Sequence, residues 1–302
     1  MTSTDDPSLG RRSAVDVQRR NDGALYVEKS GGGDETVVLL HGLAGSSRYF
    51  HTLVAALASR PESTKATSTY RFVAPDLLGF GRSPWPSIDY TVDAHLDALE
   101  RDVFSRIEGP FHLVGHSTGA MLALEQAARR PAQTKSLSLL ALPYFDDDAQ
   151  ARRLISGGGG WPWLMLNMPR FSSFMCSCIC GRRRFWSHIL PVLLRRLPRE
   201  VVVDGMMHTY QSISSTMREC ILGRRLDAAA LRVADTPIPV AQLYDEGDQQ
   251  IPPERARIFH ERYPWSTLHP IDGGGHGFPL DAATTTARIV AANIGAVRPA
   301  TP

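Results

Sequence analysis

An apolar strand, Phe111-His112-Leu113-Val114, runs directly into a glycine-flanked serine, Gly115-His116-Ser117-Thr118-Gly119. An Ala/Leu-rich helix follows from Thr118 to Arg130 and is stopped by Pro131. Glycines permit the tight turn that projects a serine from a strand end, and the helix N-terminus below it offers free N–H groups and a positive dipole end. In this context the pentapeptide predicts a nucleophile at Ser117 rather than an ordinary turn.

The same alternation of strand and helix extends to both sides of this stretch. Before it, apolar runs predict strands over 24–28, 36–40 and 71–74, and helical spacing covers 49–57 and 92–107. After it, strands are predicted over 135–142, 238–243 and 266–271, with helices over 254–262 and 281–294. This order predicts an α/β fold with a mostly parallel central sheet and helices on both faces.

The alternation fails over residues 144–235, which are rich in Arg, Met, Trp and Phe. We interpret this segment as an inserted helical cap on a core formed by residues 23–143 and 236–297. Residues 1–22 are polar and lack periodicity, and they are predicted to be a mobile tail.

Composition excludes several classes of protein. The 302 residues are 43% hydrophobic and 21% charged, as in globular proteins, and the net charge of +2 argues against nucleic acid as the main partner. No run of eighteen apolar residues occurs, so no transmembrane segment is predicted. The acidic N-terminus lacks the apolar region of a secretory signal, and we therefore expect a cytoplasmic protein.

A serine nucleophile needs a base, and the base needs a carboxylate to orient it. His276 lies in a glycine-rich loop, Gly273-Gly274-Gly275-His276-Gly277, after the last predicted strand. Asp248 follows Gly247 in the turn after the strand over 238–243 and is the preferred acid. Asp245 and Glu246 in that turn are alternatives, and Asp146, after the preceding strand, is a more distant one.

The chain order Ser117, Asp248, His276 is the one found on the α/β-hydrolase scaffold. The sequence resembles the α/β-hydrolase superfamily over residues 24–296, through His41-Gly42, the stretch Asp76 to Ser83, and the three candidate catalytic positions with their glycines. The resemblance implies an oxyanion hole from the backbone N–H groups of Leu43 and Thr118, with no metal or organic cofactor.

It also implies a serine hydrolase acting on a carboxylic ester, thioester or lactone of a small molecule. Epoxide hydrolases and haloalkane dehalogenases are disfavoured, because they have an aspartate where this chain has Ser117. Two alternatives stay open: carbon–carbon bond hydrolysis or biosynthetic cyclisation with the same triad, and a non-catalytic ligand-binding protein on this scaffold.

The cap offers candidates for substrate contact. Trp161, Trp163, Phe171 and Met206 are candidates for lining an apolar acyl or aromatic pocket above Ser117, although most cap aromatics are expected to form the cap's own core. Cys176, Cys178 and Cys180 do not match the Cys-x2-Cys spacing typical of zinc sites. Ordinary burial is therefore expected for these cysteines, and no metal site is predicted.

Charge is unevenly distributed along the chain. Residues 151–235 contain thirteen arginines and five acids, a net charge of +8, which leaves −6 for the remainder. Such a basic cap could steer anionic substrates or make peripheral contact with a membrane or a carrier protein. On composition alone we prefer a solvated surface partly paired with the acids of the core.

Overall fold

Seven strands form one sheet in the computed structural model, which describes residues 23–59, 70–223 and 225–296. They are β1 Val27–Ser30, β2 Glu35–Leu40, β3 Tyr70–Pro75, β4 Phe111–His116, β5 Thr134–Leu140, β6 Val240–Asp245 and β7 Ser266–Ile271. Their order across the sheet is β1-β3-β2-β4-β5-β6-β7. β1 is antiparallel to β3 and all other neighbouring pairs are parallel. The predicted mostly parallel sheet is thus confirmed, whereas the tail predicted over 1–22 lies outside the described residues.

The first strand begins three residues later than the sequence predicts. Leu25 donates its backbone N–H to Asp102 Oδ2 at 2.9 Å, and Tyr26 donates to Ser83 Oγ at 2.9 Å. Because side chains take these N–H groups, regular pairing with β3 starts only at Val27. Such long-range side-chain bonds leave no local sequence pattern.

Six helices accompany the strands of the core. They are α1 His51–Ala58, α2 Val92–Asp102, α3 Thr118–Arg129, α11 Glu254–Arg262, α12 Phe278–Asp281 and α13 Ala283–Gly295. Successive residues of β2 point to opposite faces of the sheet: Val38 and Leu40 pack in one hydrophobic cluster with α2 and α3, and Val37 and Leu39 in another with α1 and α13. Burial on both faces explains why β2 has a continuous apolar sequence.

Only helices occur between β5 and β6 within the described residues. They are α4 Asp148–Gly157, α5 Gly160–Asn167, α6 Pro169–Gly181, α7 Arg183–Leu193, α8 Arg199–Asp204, α9 Tyr210–Thr216, a π-helical turn over Met217–Leu222, and α10 Asp227–Ala234. α10 packs against α3 of the core, whereas α7 has no buried residue. No helix among the described residues is long and apolar enough to cross a membrane.

Candidate active site

Ser117 lies in a strained turn between β4 and α3. Its φ of 53° and ψ of −120° fall in a region that residues other than glycine rarely adopt, at a typical cost of about 1–3 kcal/mol. The turn is held by Ser117 N–H, which donates to Leu140 O at 2.8 Å. A Cβ atom on Gly119 would lie 1.9 Å from Leu40 O, and one on Gly115 would lie 2.2 Å from Gly119 O. Both flanking positions of the pentapeptide therefore require glycine.

His276 and Asp248 are brought together from the loops after β7 and β6. His276 Nδ1 lies 2.8 Å from Asp248 Oδ2, and the Asp248 side chain is almost fully buried. Asp248 Oδ1 accepts hydrogen bonds from the backbone N–H groups of Gln250 and Ile251. Since a carboxylate only accepts, His276 Nδ1 carries the proton and Nε2 keeps its lone pair.

The alternative acids have other partners. Asp146 lies 3.4 Å from Arg255 and 3.2 Å from Arg262, and Glu246 pairs with Arg257. Asp245 Oδ1 accepts from Gly247 N–H within its own turn. Of the four candidates, only Asp248 is hydrogen-bonded to His276, and this supports the preferred assignment.

His116 connects the serine turn to the His276 loop. Its Nε2 donates to His276 O at 2.9 Å, and its ring lies 4.9 Å from the His276 ring and stacks on Tyr49. Burial holds the pKa of His116 well below its ordinary value, so the imidazole is neutral. His116 therefore fixes the backbone that carries His276, consistent with the loop-shaping role expected from the sequence.

The loop after β2 approaches Ser117 closely. A Cβ atom on Gly42 would lie 3.2 Å from Ser117 Cβ, which places the next residue, Leu43, beside the turn. Within the described ranges, neither the Leu43 N–H nor the Thr118 N–H donates a hydrogen bond. Thr118 is the first residue of α3, where N–H groups have no partner in the helix. Both groups predicted for the oxyanion hole are thus close to the serine.

Buried polar groups hold this loop in place. His41 Nδ1 donates to Gly42 O at 2.8 Å, and His41 Nε2 accepts from Leu77 N–H at 2.9 Å. Burial lowers the pKa of His41, as this neutral tautomer requires. Asp76 accepts from Ser47 N–H at 2.7 Å and thereby connects the loop to β3.

Sequence reasoning missed one contact from the helical segment. Asp204, at the end of α8, accepts from Ser46 Oγ at 2.7 Å and lies 3.5 Å from Arg48. Met207, three residues later in the chain, accepts a hydrogen bond through its carbonyl oxygen from Gly81 N–H at 2.8 Å. No local pattern marks an aspartate 158 residues from its partner, so only the folded chain identifies this contact.

The four predicted pocket residues have different environments. Met206 is buried, whereas Trp163 and Phe171 are 42% and 46% exposed, and the Trp161 side chain lies outside the described part of the chain. That these residues line a pocket above Ser117 stays a prediction.

Outside the candidate triad, Cys176, Cys180 and His208 are the one group in the described ranges with a metal-ligating arrangement.

Comparison with known proteins identifies the family. The model of the "Alpha/beta hydrolase family" matches residues 37–289. The chain belongs to the alpha/beta hydrolase family. It is 30% identical over 261 residues to "Probable lysophospholipase BODYGUARD 1" of Arabidopsis thaliana, covering 80% of this chain and 55% of that protein. It is 35% identical over 132 residues to "Lipase LipV" of Mycobacterium tuberculosis, covering 43% and 46%. The chain spans about half the length of the curated relatives it matches.

Solved structures agree on the fold of this alpha/beta hydrolase. An esterase from Exiguobacterium antarcticum superimposes with a TM-score of 0.66 at 19% identity, covering 90% of this chain and 96% of the esterase. A thioesterase domain from the curacin biosynthetic pathway gives a TM-score of 0.60 at 18% identity, covering 89% and 100%. At these identities the likeness extends to the fold alone.

Proposed function

We propose that the chain is a serine hydrolase that cleaves a carboxylic ester through an acyl-enzyme, with Ser117, His276 and Asp248 as its triad. The observation that carries this is the 2.8 Å bond from His276 Nδ1 to Asp248, beside a serine held at φ 53°. That bond leaves Nε2 as the base, and the turn leaves the serine at the carboxyl edge of the sheet.

In the proposed reaction Ser117 Oγ attacks the ester carbonyl and His276 Nε2 takes the hydroxyl proton. The carbonyl oxygen becomes an oxyanion held by the N–H groups of Leu43 and Thr118. Collapse breaks the ester bond, and His276 returns the proton to the departing alcohol. Water then repeats the sequence on the acyl-enzyme and releases the acid, which restores the serine.

The substrate we propose is an ester of an apolar acyl chain. The relatives named lysophospholipase and lipase support this, as do the apolar side chains of residues 144–235, which we assign as a cap over the sheet edge. The hydrogen bond from Ser46 to Asp204 supports the cap assignment, because it connects α8 to the loop over residues 41–48, which carries Leu43 and which we call the oxyanion loop. The thioesterase among the similar folds keeps an acyl thioester as the second substrate to test.

The triad is tested by covalent labelling. A fluorophosphonate probe should modify Ser117, because only an activated serine reacts with it at neutral pH. Ser117→Ala should lose both labelling and hydrolysis of p-nitrophenyl acyl esters, whereas Ser105→Ala, an exposed serine outside the site, should retain both. Undiminished labelling of Ser117→Ala would contradict the assignment. Ligand binding without turnover in the wild type would indicate the non-catalytic alternative.

We also propose that the cap meets its substrate at an anionic lipid surface. Nine of the twelve large apolar side chains exposed in the described ranges lie between residues 163 and 197: Trp163, Met168, Phe171, Phe174, Phe185, Val192, Leu193, Leu194 and Leu197. Over residues 158–199 the sequence has seven arginines and no acid. Exposed apolar side chains among arginines are typical of interfacial helices.

The exposed apolar side chains favour contact with a lipid surface over a purely solvated surface as the explanation of the basic charge. A solvated surface accounts for the arginines but not for apolar side chains exposed in the same segment. α7 shows this most clearly, because none of its residues is buried although it carries Phe185, Trp186 and Ile189. Insertion of these side chains into a lipid surface would remove their apolar area from water while the arginines contact lipid phosphates.

Vesicle sedimentation tests this contact. The wild type should sediment with phosphatidylglycerol vesicles but not with phosphatidylcholine vesicles, and about 0.5 M salt should weaken binding because the Debye length then falls below about 5 Å. Phe174→Asp with Phe185→Asp should abolish sedimentation. Leu231→Asp, equally exposed but on α10, is the control and should bind as the wild type. Equal sedimentation with both lipids, or none with either, would refute the proposal.

A further inference from the structure

Three metal-ligating side chains that are not part of the proposed triad meet inside the helical segment. Cys176 and Cys180 are four residues apart on α6 and therefore lie on the same helix face, and His208 reaches them from the turn after α8. The two Sγ atoms are 3.3 Å apart, and each lies 3.9 Å from a nitrogen of His208. All three side chains are buried, and their ligand atoms lie within 4.8 Å of one another.

The orientation of His208 leaves one nitrogen available. Nδ1 lies 3.2 Å from the carbonyl oxygen of Thr209, which can only accept, so Nδ1 carries the proton. Nε2, the nitrogen 3.9 Å from Cys180 Sγ, then has a free lone pair, whereas Cys176 Sγ lies 3.9 Å from Nδ1. A backbone carbonyl that fixes the imidazole in this way is the usual support of a metal-bound histidine.

The backbone on either side of His208 is also fixed before any ligand binds. Met207 O accepts from Gly81 N–H at 2.8 Å, and His208 forms a β-bridge with Phe80. Thr209 caps α9 by accepting from Ser212 N–H. The imidazole is therefore held against α6 from a segment that is itself attached to the core.

We propose that Cys176, Cys180 and His208 bind a thiophilic d10 cation, zinc(II) or copper(I). Sulfur and nitrogen ligands of a tetrahedral zinc lie about 3.5–3.8 Å apart, so the two sulfurs at 3.3 Å and Cys180 Sγ at 3.9 Å from Nε2 need only small movements. Cys176 Sγ, which lies beside Nδ1, has to turn toward Nε2. Binding replaces the two thiol protons, which pass to solvent, and forms two metal–sulfur bonds and one metal–nitrogen bond. The bound cation connects α6 to the segment that contacts Phe80 and Gly81, and so stabilises the cap on the core.

The spacing rule applied to the sequence did not reveal this site. Cys-x2-Cys describes ligands on a turn, whereas i and i+4 positions meet on a helix, and the third ligand comes 28 residues after Cys180. Cys178, between the two, is only half-buried and is not part of the group.

Metal content tests the proposal on the whole protein. Protein reduced, loaded with zinc and desalted should retain about one zinc per chain by elemental analysis, and its melting temperature should rise with zinc. A parallel loading with copper(I) under anaerobic conditions identifies the preferred cation. Cys176→Ser with Cys180→Ser, and separately His208→Gln, should lose the metal and the shift in melting temperature, whereas Cys178→Ser and Cys220→Ser should keep both.

Cobalt(II) added to the wild type gives a readout that does not depend on the variants folding. Thiolate-to-cobalt charge-transfer bands should appear at one equivalent and disappear when zinc is added. No such bands together with no retained metal would overturn the proposal, as would equal metal retention by the double cysteine variant. Rapid formation of a Cys176–Cys180 disulfide without metal retention would show a redox pair instead and would equally overturn it.

Discussion

At the level of single residues, the site depends on positions that tolerate no other side chain. Ser117 adopts its φ of 53° because Gly115 and Gly119 let β2, β4 and α3 approach more closely than a Cβ atom allows. Asp248 uses one carboxylate oxygen for two backbone N–H groups and the other for His276. A side chain with all its partners satisfied is rigid, so it fixes both the tautomer and the direction of the imidazole.

Asp248→Asn should therefore lower kcat by about ten-thousandfold, because the amide keeps the shape but supports the wrong tautomer of His276. Asp146→Asn should leave kcat within about threefold, since Asp146 is itself partly exposed and its partners Arg255, Arg262 and Gln150 lie outside the triad. Steady-state kinetics on one acyl ester, with circular dichroism to check folding, measures both. A severe loss in Asp146→Asn with normal activity in Asp248→Asn would assign the acid to the preceding strand.

At the level of elements, a buried histidine joins α2 to α9. His95, on α2, is fully enclosed, and its Nε2 lies 3.1 Å from Thr216 Oγ1 at the end of α9. Burial lowers the pKa of His95 to about 3, because the charged imidazolium has no carboxylate partner there. The contact between these two helices is thus favourable only while His95 is neutral.

The sign of the resulting pH dependence follows from linkage. Between about pH 6.5, where His95 titrates in the unfolded chain, and about pH 3, the unfolded state binds a proton that the native state does not. This histidine should therefore reduce the free energy of unfolding by up to about 1.4 kcal/mol per pH unit on acidification below 6.5. Denaturant titrations at pH 7.5, 6.5 and 5.5 give the free energy of unfolding at each pH. This free energy should fall less steeply on acidification for His95→Gln than for the wild type. Identical pH dependences in the two proteins would contradict the assignment.

At the level of the whole molecule, the helical segment between β5 and β6 contacts the loop that follows β2. Asp204 of α8 is buried against Ser46 and Arg48, three and five residues after Leu43. An amide group stabilises an oxyanion only where it is held in position, and loss of one such donor costs about 10²–10³ in kcat. We therefore propose that this contact holds the Leu43 N–H in position.

Asp204→Ala should lower kcat by about tenfold with little change in KM, because it loosens the loop without removing the Leu43 N–H. Glu200→Ala, the other acid of α8, is the matched control and should be neutral. A purely structural role for Asp204 would lower the melting temperature and the amount of active protein but leave kcat per active site, titrated with fluorophosphonate, unchanged.

The sheet, the helices that accompany its strands and the chain order of the three candidate catalytic residues could be predicted from the sequence. These features depend on local sequence patterns. Apolar residues recur with a period of 2 in strands and of 3.6 in helices, glycine occurs where a Cβ atom cannot fit, and proline occurs where a helix ends. For the same reason Ser117 and His276 could be identified as candidates from their immediate neighbours in the sequence.

Three contacts appear only in the folded chain: Asp248, of four candidate acids, bonds to His276, Asp204 bonds to Ser46, and His208 meets two cysteines of α6. The structure also shows that Trp163 and Phe171 are about half exposed. Each of these contacts joins residues far apart in the chain or depends on the rotation of a helix about its axis. Local composition does not encode either quantity, because both are set by how the helices between β5 and β6 pack on the sheet.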